Sequence, residues 1–268
     1  MPEPAEDALA DRDLLVAAAE EAGEIALRHF RRSPAVTEKP DGQGPVTEAD
    51  LAVDRALAIN LRRARPGYGW LSEETTDGPD RLTAERVLIV DPIDGTRAFI
   101  DGQAGWAVAV AVAVRGQITA AVVHLPARGE TYAAALNAGA TLNGMRLSPS
   151  PEAPVEPEIL AAKPALAPEH WPGGLPVLKR SFRPSLAWRL CLAASGRFDG
   201  MVTIQPTWEW DVASGSLIAA EAGRAVSDAD GLPLAFNATP PRTPGVIAAA
   251  PALHARLIAA RRGPGGAA

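Results

Sequence analysis

The segment VLIVDPIDGTRAF, residues 87–99, decides the fold and points to a site. Its first four residues are branched and apolar, which is typical of a buried strand. Asp91 and Asp94 follow at the end of that run, and Gly95 and Thr96 turn the chain. Two carboxylates three positions apart can converge on one point and suit one or two hard cations such as Mg²⁺. Taken alone, the segment is also consistent with a common Asp-Gly turn.

Composition limits the classes of function. With 268 residues, 47% of them hydrophobic and 22% charged, the chain is expected to form one large domain or two compact halves. A net charge of −6 argues against a surface for nucleic acid polymers, but it allows a small phosphorylated molecule balanced by metal ions. Cys191 is the only cysteine, so no intramolecular disulfide is expected. No signal-like or membrane-length apolar run is present, and we expect a cytoplasmic protein without an integral membrane segment.

Apolar periodicity predicts two helices near the N-terminus. The first extends from Asp7 to about Arg32, and the second from Thr47 to about Ala64. The second helix carries Asp50 and Asp54 on one face, because they are four residues apart.

Strand-like runs and then a composition break follow these helices. The run 106–114 and the runs after it predict a largely antiparallel sheet, so residues 1–150 are expected to form an N-terminal α+β domain. The Pro-rich segment 148–159 marks a boundary, and residues 151–268 are expected to form a smaller α/β domain. Its predicted helices cover about Leu186–Ser195 and Ala213–Glu221.

Three other segments place acids in plausible site positions. PVTEAD ends at Asp50, WLSEE includes Glu73, and PTWEWDVASGSLIAAEAG puts Asp211 at the head of a helix. Each segment alone is consistent with a structural role: a helix residue, a solvated loop or an N-cap.

In order and spacing, these segments together resemble the inositol monophosphatase superfamily of Mg²⁺-dependent, lithium-sensitive phosphomonoesterases. DPIDGTRAF resembles the first signature of that family and WEWDVASGSLIAAEAG the second. SEE resembles its upstream metal-binding motif, and PVTEAD the segment with its activating Asp. The similarity extends from about residue 10 to 250. It implies a five-layered α/β/α/β/α sandwich with the metal site between two halves.

The resemblance also implies roles for individual residues. Glu73, Asp91 and the carbonyl of Ile93 would hold one Mg²⁺, and Asp91, Asp94 and Asp211 a second, with a weaker third ion beside Glu73. Asp50 and Thr96 would orient and deprotonate the attacking water. The backbone N–H groups of Gly95 and Thr96 would face the phosphate. No Cys, His or Ser near these motifs has nucleophile-and-base spacing, which favours hydrolysis by water activated at the metal.

The substrate is predicted from finer similarities. DGTRAFI resembles DGTKEFI of the 3′(2′),5′-bisphosphate nucleotidase branch more than DGTTNF of the inositol monophosphatases, and PTWEWD resembles PTMEWD of that branch. This implies conversion of adenosine 3′,5′-bisphosphate to AMP and phosphate, a step tied to sulfate assimilation. Inositol-1-phosphate is the alternative, followed by fructose 1,6-bisphosphate. Two features depart from the pattern of that branch. Lys163 stands alone in AAKPALAP, where the branch often has an Arg-Ser-His segment, and Arg224 replaces a usual Gly.

Candidate substrate contacts follow from their positions after the linker. Ser185 and Arg189, one helical turn apart, and Glu209 could meet a sugar hydroxyl or a second phosphate, although Arg189 is equally consistent with a surface cation. Trp208 and Trp210 could stack on adenine or belong to the core. A homodimer is a family-level expectation.

Two other functions compete with this prediction. A haloacid-dehalogenase-type phosphatase needs D-x-D-G-T, but Pro92 stands where the nucleophilic Asp would be. A non-catalytic metal and phosphate sensor is the alternative from another class. Nothing in the sequence favours it, because all five carboxylates and Thr96 are present.

Overall fold

The computed structural model describes residues 5–39 and 44–263. Its helices are α1 (Ala5–His29), α2 (Glu48–Ala64), α3 (Thr96–Ile100), α4 (Leu186–Ala194), α5 (Glu209–Glu221) and α6 (Pro251–Arg262). Strands in the first part are β1 (Val36–Glu38), β2 (Pro45–Thr47), β3 (Gly69–Ser72), β4 (Arg86–Asp94), β5 (Ala107–Val114), β6 (Gln117–Leu125), β7 (Glu130–Ala135), β8 (Gly139–Leu142) and β9 (Met145–Arg146). Those after the linker are β10 (Glu158–Ala161), β11 (Lys179–Ser181), β12 (Gly200–Thr203), β13 (Thr207–Trp208), β14 (Ala225–Ser227), β15 (Arg242–Thr243) and β16 (Val246–Ala249).

The first large sheet has seven strands in the order β3-β4-β5-β6-β7-β8-β9. All of its pairs are antiparallel except β3 with β4, which is parallel. Strand β5, with the sequence AVAVAVAV, shows how one strand serves two cores. Its valines at 108, 110 and 112 pack into the core formed with α1 and α2. Its alanines at 107, 109, 111 and 113 face α4 and α5, where small side chains allow close packing.

The second large sheet has five strands in the order β11-β10-β12-β16-β14. Strand β10 pairs in parallel with β11 and β12, whereas β16 is antiparallel to β12 and β14. One face of this sheet packs on α4 and α5, and the other packs on α6 through Leu253 and Leu257. The layers are therefore α1/α2, the seven-stranded sheet, α4/α5, the five-stranded sheet and α6. This confirms the predicted five-layered α/β/α/β/α fold.

Most predicted elements are present, with shifted ends. Helix α1 stops at His29 rather than near Arg32, because Arg31 takes a left-handed conformation with φ 61°. Helix α5 begins at Glu209, four residues before the predicted start at Ala213. The seven strands of the first sheet all precede residue 150 and the five of the second all follow it, while the domain division itself stays a prediction. In the described ranges, no helix is both long and apolar enough to span a membrane.

Candidate active site

Two parallel strands bring the first acids together. Ser72, the last residue of β3, is in register with Val90 of β4, and the Glu73 amide continues the pairing by donating to the Val90 carbonyl at 3.2 Å. Glu73 thus follows β3 beside Asp91 of β4. Carboxyl ends of adjacent parallel strands lie at one edge of a sheet, which explains why two distant motifs supply neighbouring carboxylates. Repulsion from Glu73 contributes, after burial, to the raised pKa of Asp91.

Asp91, Asp94 and Asp211 form the centre of the site. Each offers a carboxylate oxygen, and these atoms lie within 4.8 Å of one another. Asp91 and Asp94 end β4, whereas Asp211 comes from the first turn of α5, which packs across the same sheet. The segment with Asp91 and Asp94 and the segment with Asp211 therefore meet at one point, as expected from the sequence. Glu73 lies beside this cluster rather than within it.

The donor set fits a metal ion. Asp91 and Asp94 are 1% and 6% exposed, and among the described residues no ion pair joins any of the three aspartates to a basic side chain. Burial and then repulsion by neighbouring carboxylates raise the pKa values of Asp91 and Asp211 well above the usual range. Burial also raises the pKa of Asp94, to about 6. Buried oxygen ligands of one charge are what a divalent cation such as Mg²⁺ would balance.

Ser185 positions the Asp94 carboxylate through a hydrogen bond. Its hydroxyl donates to Asp94 Oδ2 at 2.5 Å, and the amides of Leu186 and Ala187 donate to the same carboxylate at 3.2 and 2.7 Å. Ser185 is also the N-cap of α4, accepting from the Trp188 amide at 2.9 Å. Ser185 is 0% exposed, and its substrate contact stays a prediction. Its side chain positions one acid of the three-aspartate cluster.

Arg189 and Glu209 are likewise occupied by the protein itself. Arg189 is buried, so it is not a surface cation; its Nε donates to the Arg183 carbonyl and its Nη2 to that of Pro184. Glu209 is 0% exposed, and its two oxygens accept from the amides of Asn237 and Ala238 at 2.6 and 2.8 Å. Both side chains are largely enclosed by protein groups, and their substrate contacts stay predictions.

Asp50 and Thr96 lie together on the N-terminal side of the site. Asp50 Oδ2 accepts from both the amide and the hydroxyl of Thr47, at 2.8 and 2.5 Å, which forms a capping box at the start of α2. Its Oδ1 lies 3.2 Å from the Thr96 hydroxyl, which is also 3.1 Å from the Ile93 carbonyl. Burial raises the pKa of Asp50, and the Thr47 hydrogen bonds oppose that shift. One carboxylate oxygen is fixed and the other is directed at Thr96.

Gly95 allows the sharp turn between β4 and α3. Its φ is +97°, a left-handed conformation that favours glycine. A Cβ atom there would also lie 3.1 Å from the Gly105 carbonyl oxygen. The turn places Thr96 at the start of α3, directly after the metal-ligand pair.

Lys39 was not identified from the sequence. Its Nζ lies 2.7 Å from Glu73 Oε1 and 2.6 Å from Glu74 Oε1, so one ammonium group balances two acids of the SEE segment. Burial raises the pKa of Glu74 to about 7, and the Lys39 hydrogen bond lowers it in part. A lone lysine in a Pro- and Gly-rich loop gives no local signal of this contact.

Asp54 supports the SEE segment from α2. It accepts from the Ser72 hydroxyl at 2.5 Å and from the Thr75 hydroxyl at 2.9 Å. Its place one helical turn after Asp50 was the available signal, since both acids share a helix face.

The two tryptophans before and within α5 contact each other. Trp208 and Trp210 are stacked, with centroids 4.8 Å apart, and the Arg242 guanidinium lies 3.8 Å from the Trp208 ring centroid. Neither ring lines the cavity beside Thr96. Adenine stacking on this pair is therefore not supported.

Comparisons with known proteins identify the family of this chain. Residues 10–264 match the model of the inositol monophosphatase family. The chain belongs to this family. It is 34% identical over 236 residues to an inositol-1-monophosphatase of Mesorhizobium japonicum, covering 82% of this chain and 85% of the relative. It is 31% identical over 233 residues to the Nus factor SuhB of Escherichia coli, with the same shares covered.

Solved structures of this family have the same fold. An extragenic suppressor protein SuhB from Bartonella henselae superposes with a TM-score of 0.79 and 27% identity, covering 93% of this chain and 97% of the other. An IMPase from Thermotoga maritima gives 0.78 and 25%, covering 92% and 94%. The chain is thus a member of a phosphatase family, and these relatives do not carry the name of the nucleotidase branch.

Proposed function

We propose that the chain is a Mg²⁺-dependent phosphomonoesterase acting on a small phosphorylated metabolite. The observation that carries this proposal is the convergence of Asp91, Asp94 and Asp211 within 4.8 Å beside Glu73. These residues, helped by the Ile93 carbonyl, would hold two or three Mg²⁺ ions. When bound, the ions would neutralise phosphate charge and favour ionisation of a water molecule.

Asp50 and Thr96 are the protein groups that would accept and transfer a proton from the attacking water. The Thr96 hydroxyl can donate to Asp50 Oδ1 or to the Ile93 carbonyl, and its lone pairs can orient a water. Asp50 is suited to accept a proton from that water through Thr96, because Thr47 fixes its other oxygen and burial raises its pKa. The N–H groups of Gly95 and Thr96 would face the phosphate.

For the substrate we propose a 3′(2′),5′-bisphosphate nucleotide, hydrolysed to a nucleoside monophosphate and phosphate. The similarity of DGTRAFI and PTWEWD to the nucleotidase motifs supports this substrate. Inositol-1-phosphate is the second candidate, because the Mesorhizobium relative that is 34% identical is named inositol-1-monophosphatase. The direct test compares three substrates at the same enzyme and Mg²⁺ concentrations. They are adenosine 3′,5′-bisphosphate, inositol-1-phosphate and fructose 1,6-bisphosphate. The nucleotide is expected to have the highest kcat/KM, and a higher value for either other substrate would contradict the assignment.

A further inference from the structure

A cavity of about 510 Å³ opens beside the proposed phosphate position. Glu73, Gly95 and Thr96 are among its lining residues, and Phe182 and Pro184 from the segment between β11 and α4 also line it. It is large enough for a small metabolite. Whatever group is esterified to the phosphate bound near Thr96 would extend into this cavity.

Phe182 is 48% exposed and lines this cavity, whereas the other exposed large apolar side chains of the described residues lie elsewhere. One side of its ring is supported by Arg189, whose guanidinium carbon lies 4.3 Å from the ring centroid. Arg189 is only 6% exposed and is held by the carbonyls of Arg183 and Pro184. Arg189 therefore supports one side of the Phe182 ring, and the remaining surface of the ring is accessible.

Part of the cavity wall, including Phe182, is apolar, whereas Glu73, Thr96, Arg97, Asp101 and Gln103 give the rest of the lining polar side chains. Pro45, Ala98, Phe182 and Pro184 offer no side-chain hydrogen-bond donors or acceptors. A ring carrying hydroxyl groups on its edge would lose water there without new partners, whereas a flat aromatic group would gain stacking and apolar contact. The polar lining residues Arg97, Asp101 and Gln103 can contact the edge of such a group.

We propose that Phe182, braced by Arg189, is a stacking platform for the nucleobase of the substrate and determines the preference for nucleotides. This inference rests on the proposed phosphomonoesterase function and adds a residue that selects the leaving group. Arg189 then acts as a positioning residue, in place of the direct substrate contact expected from its sequence position.

The test compares Phe182→Ala, Phe182→Leu and Phe182→Trp with wild type. AMP binding in Mg²⁺ is measured by isothermal titration calorimetry, and KM and kcat are measured for adenosine 3′,5′-bisphosphate and inositol-1-phosphate. Loss of one base–aromatic stack is expected to raise the AMP Kd and nucleotide KM of the Ala and Leu variants by roughly 5- to 100-fold. The Trp variant should restore both, and inositol-1-phosphate kinetics should change by less than about twofold, the size of a surface substitution.

Phe198→Leu is the matched control, because Phe198 is half-buried, lies 5.3 Å from Arg183 and does not line the cavity. It should leave the AMP Kd unchanged. An AMP Kd unaffected by Phe182→Ala, or an equal rise in KM for both substrates, overturns the platform. If wild type releases no phosphate, the proposed function fails, while the AMP titration still decides whether Phe182 stacks on a base.

Discussion

Replacement of Ser185 by alanine tests how the protein holds its metal ligands. The hydroxyl donates to Asp94 at 2.5 Å and caps α4 by accepting from the Trp188 amide at 2.9 Å. A hydrogen bond to a charged group contributes about 1.5–3 kcal/mol, and an N-cap about 1 kcal/mol. Because one hydroxyl makes both contacts, we expect a combined loss of about 2–3 kcal/mol in the free energy of unfolding. The melting temperature should fall by roughly 4–10 °C.

The effect on metal affinity is the more specific part of this prediction. Loss of a partner that orients a ligand typically lowers metal affinity by about 10- to 100-fold. Calorimetric Mg²⁺ titration of Ser185→Ala should show such a loss, and kcat should recover at high Mg²⁺. Ser195→Ala is the control, because Ser195 ends the same helix and its hydroxyl bonds only the Leu192 carbonyl. Unchanged Mg²⁺ affinity with a raised substrate KM would refute this reasoning and support the substrate contact expected for Ser185.

Four further substitutions test the site and its support. Asp50→Asn should lower kcat by about 10²- to 10⁴-fold while Mg²⁺ still raises the melting temperature, as measured by parallel kinetics and calorimetry. Gly215→Ala places a Cβ 2.6 Å from Leu190 Cβ between α4 and α5, so it should destabilise the fold by about 1–3 kcal/mol and weaken Mg²⁺ binding. Ser216→Ala, which removes a buried hydroxyl without a partner among the described residues, should be neutral in the same denaturation assay. Asp211→Asn should stabilise the metal-free protein, because it relieves repulsion between carboxylates. At a Mg²⁺ concentration of 100 times Kd, Mg²⁺ should stabilise the wild type by about 2.7 kcal/mol, and the variant should lose this stabilisation.

The same carboxylates predict how the stability of the metal-free protein depends on pH. The pKa of Asp94 is raised from 3.8 to about 6, so the folded state keeps a proton that the unfolded chain has released. Stability is therefore highest below about pH 4 for this group and is lost as the pH rises through 6. Thermal denaturation in EDTA should show this decline, and Mg²⁺ should reduce it. A metal-free melting temperature that rises over this range would contradict the assigned sign.

Local sequence patterns were sufficient for most of the fold and for the centre of the site. The Ala–Val alternation of β5 has period two, and the strand end DPIDGT predicts both its acids and its turn. These signals are local, because strand periodicity and turn chemistry depend on neighbouring residues. The second signature likewise identified Asp211, although its helix starts earlier than the apolar pattern suggested.

Contacts between distant segments were not predictable in this way. Ser185 and Asp94 are 91 positions apart and meet only because α4 begins beside the end of β4 in the folded chain. Lys39 gave no local signal and Arg189 was equally consistent with a surface cation, yet Lys39 pairs with Glu73 and Arg189 is buried against backbone carbonyls. Spacing places a residue on an element, but the packing of one layer on another decides whether its side chain faces substrate or protein.

Phosphate release measured against Mg²⁺ concentration, for wild type and Asp91→Asn, tests the central claim most directly. Asp91 is one of the two buried members of the three-aspartate cluster, and repulsion from Glu73 contributes to its raised pKa. Wild type should release phosphate from a phosphomonoester only with Mg²⁺. The variant should lose more than about 100-fold in rate, because removing a ligand exceeds the effect of removing its outer partners. Equal release in EDTA, or an undiminished rate in folded Asp91→Asn, would contradict metal-dependent hydrolysis at this site.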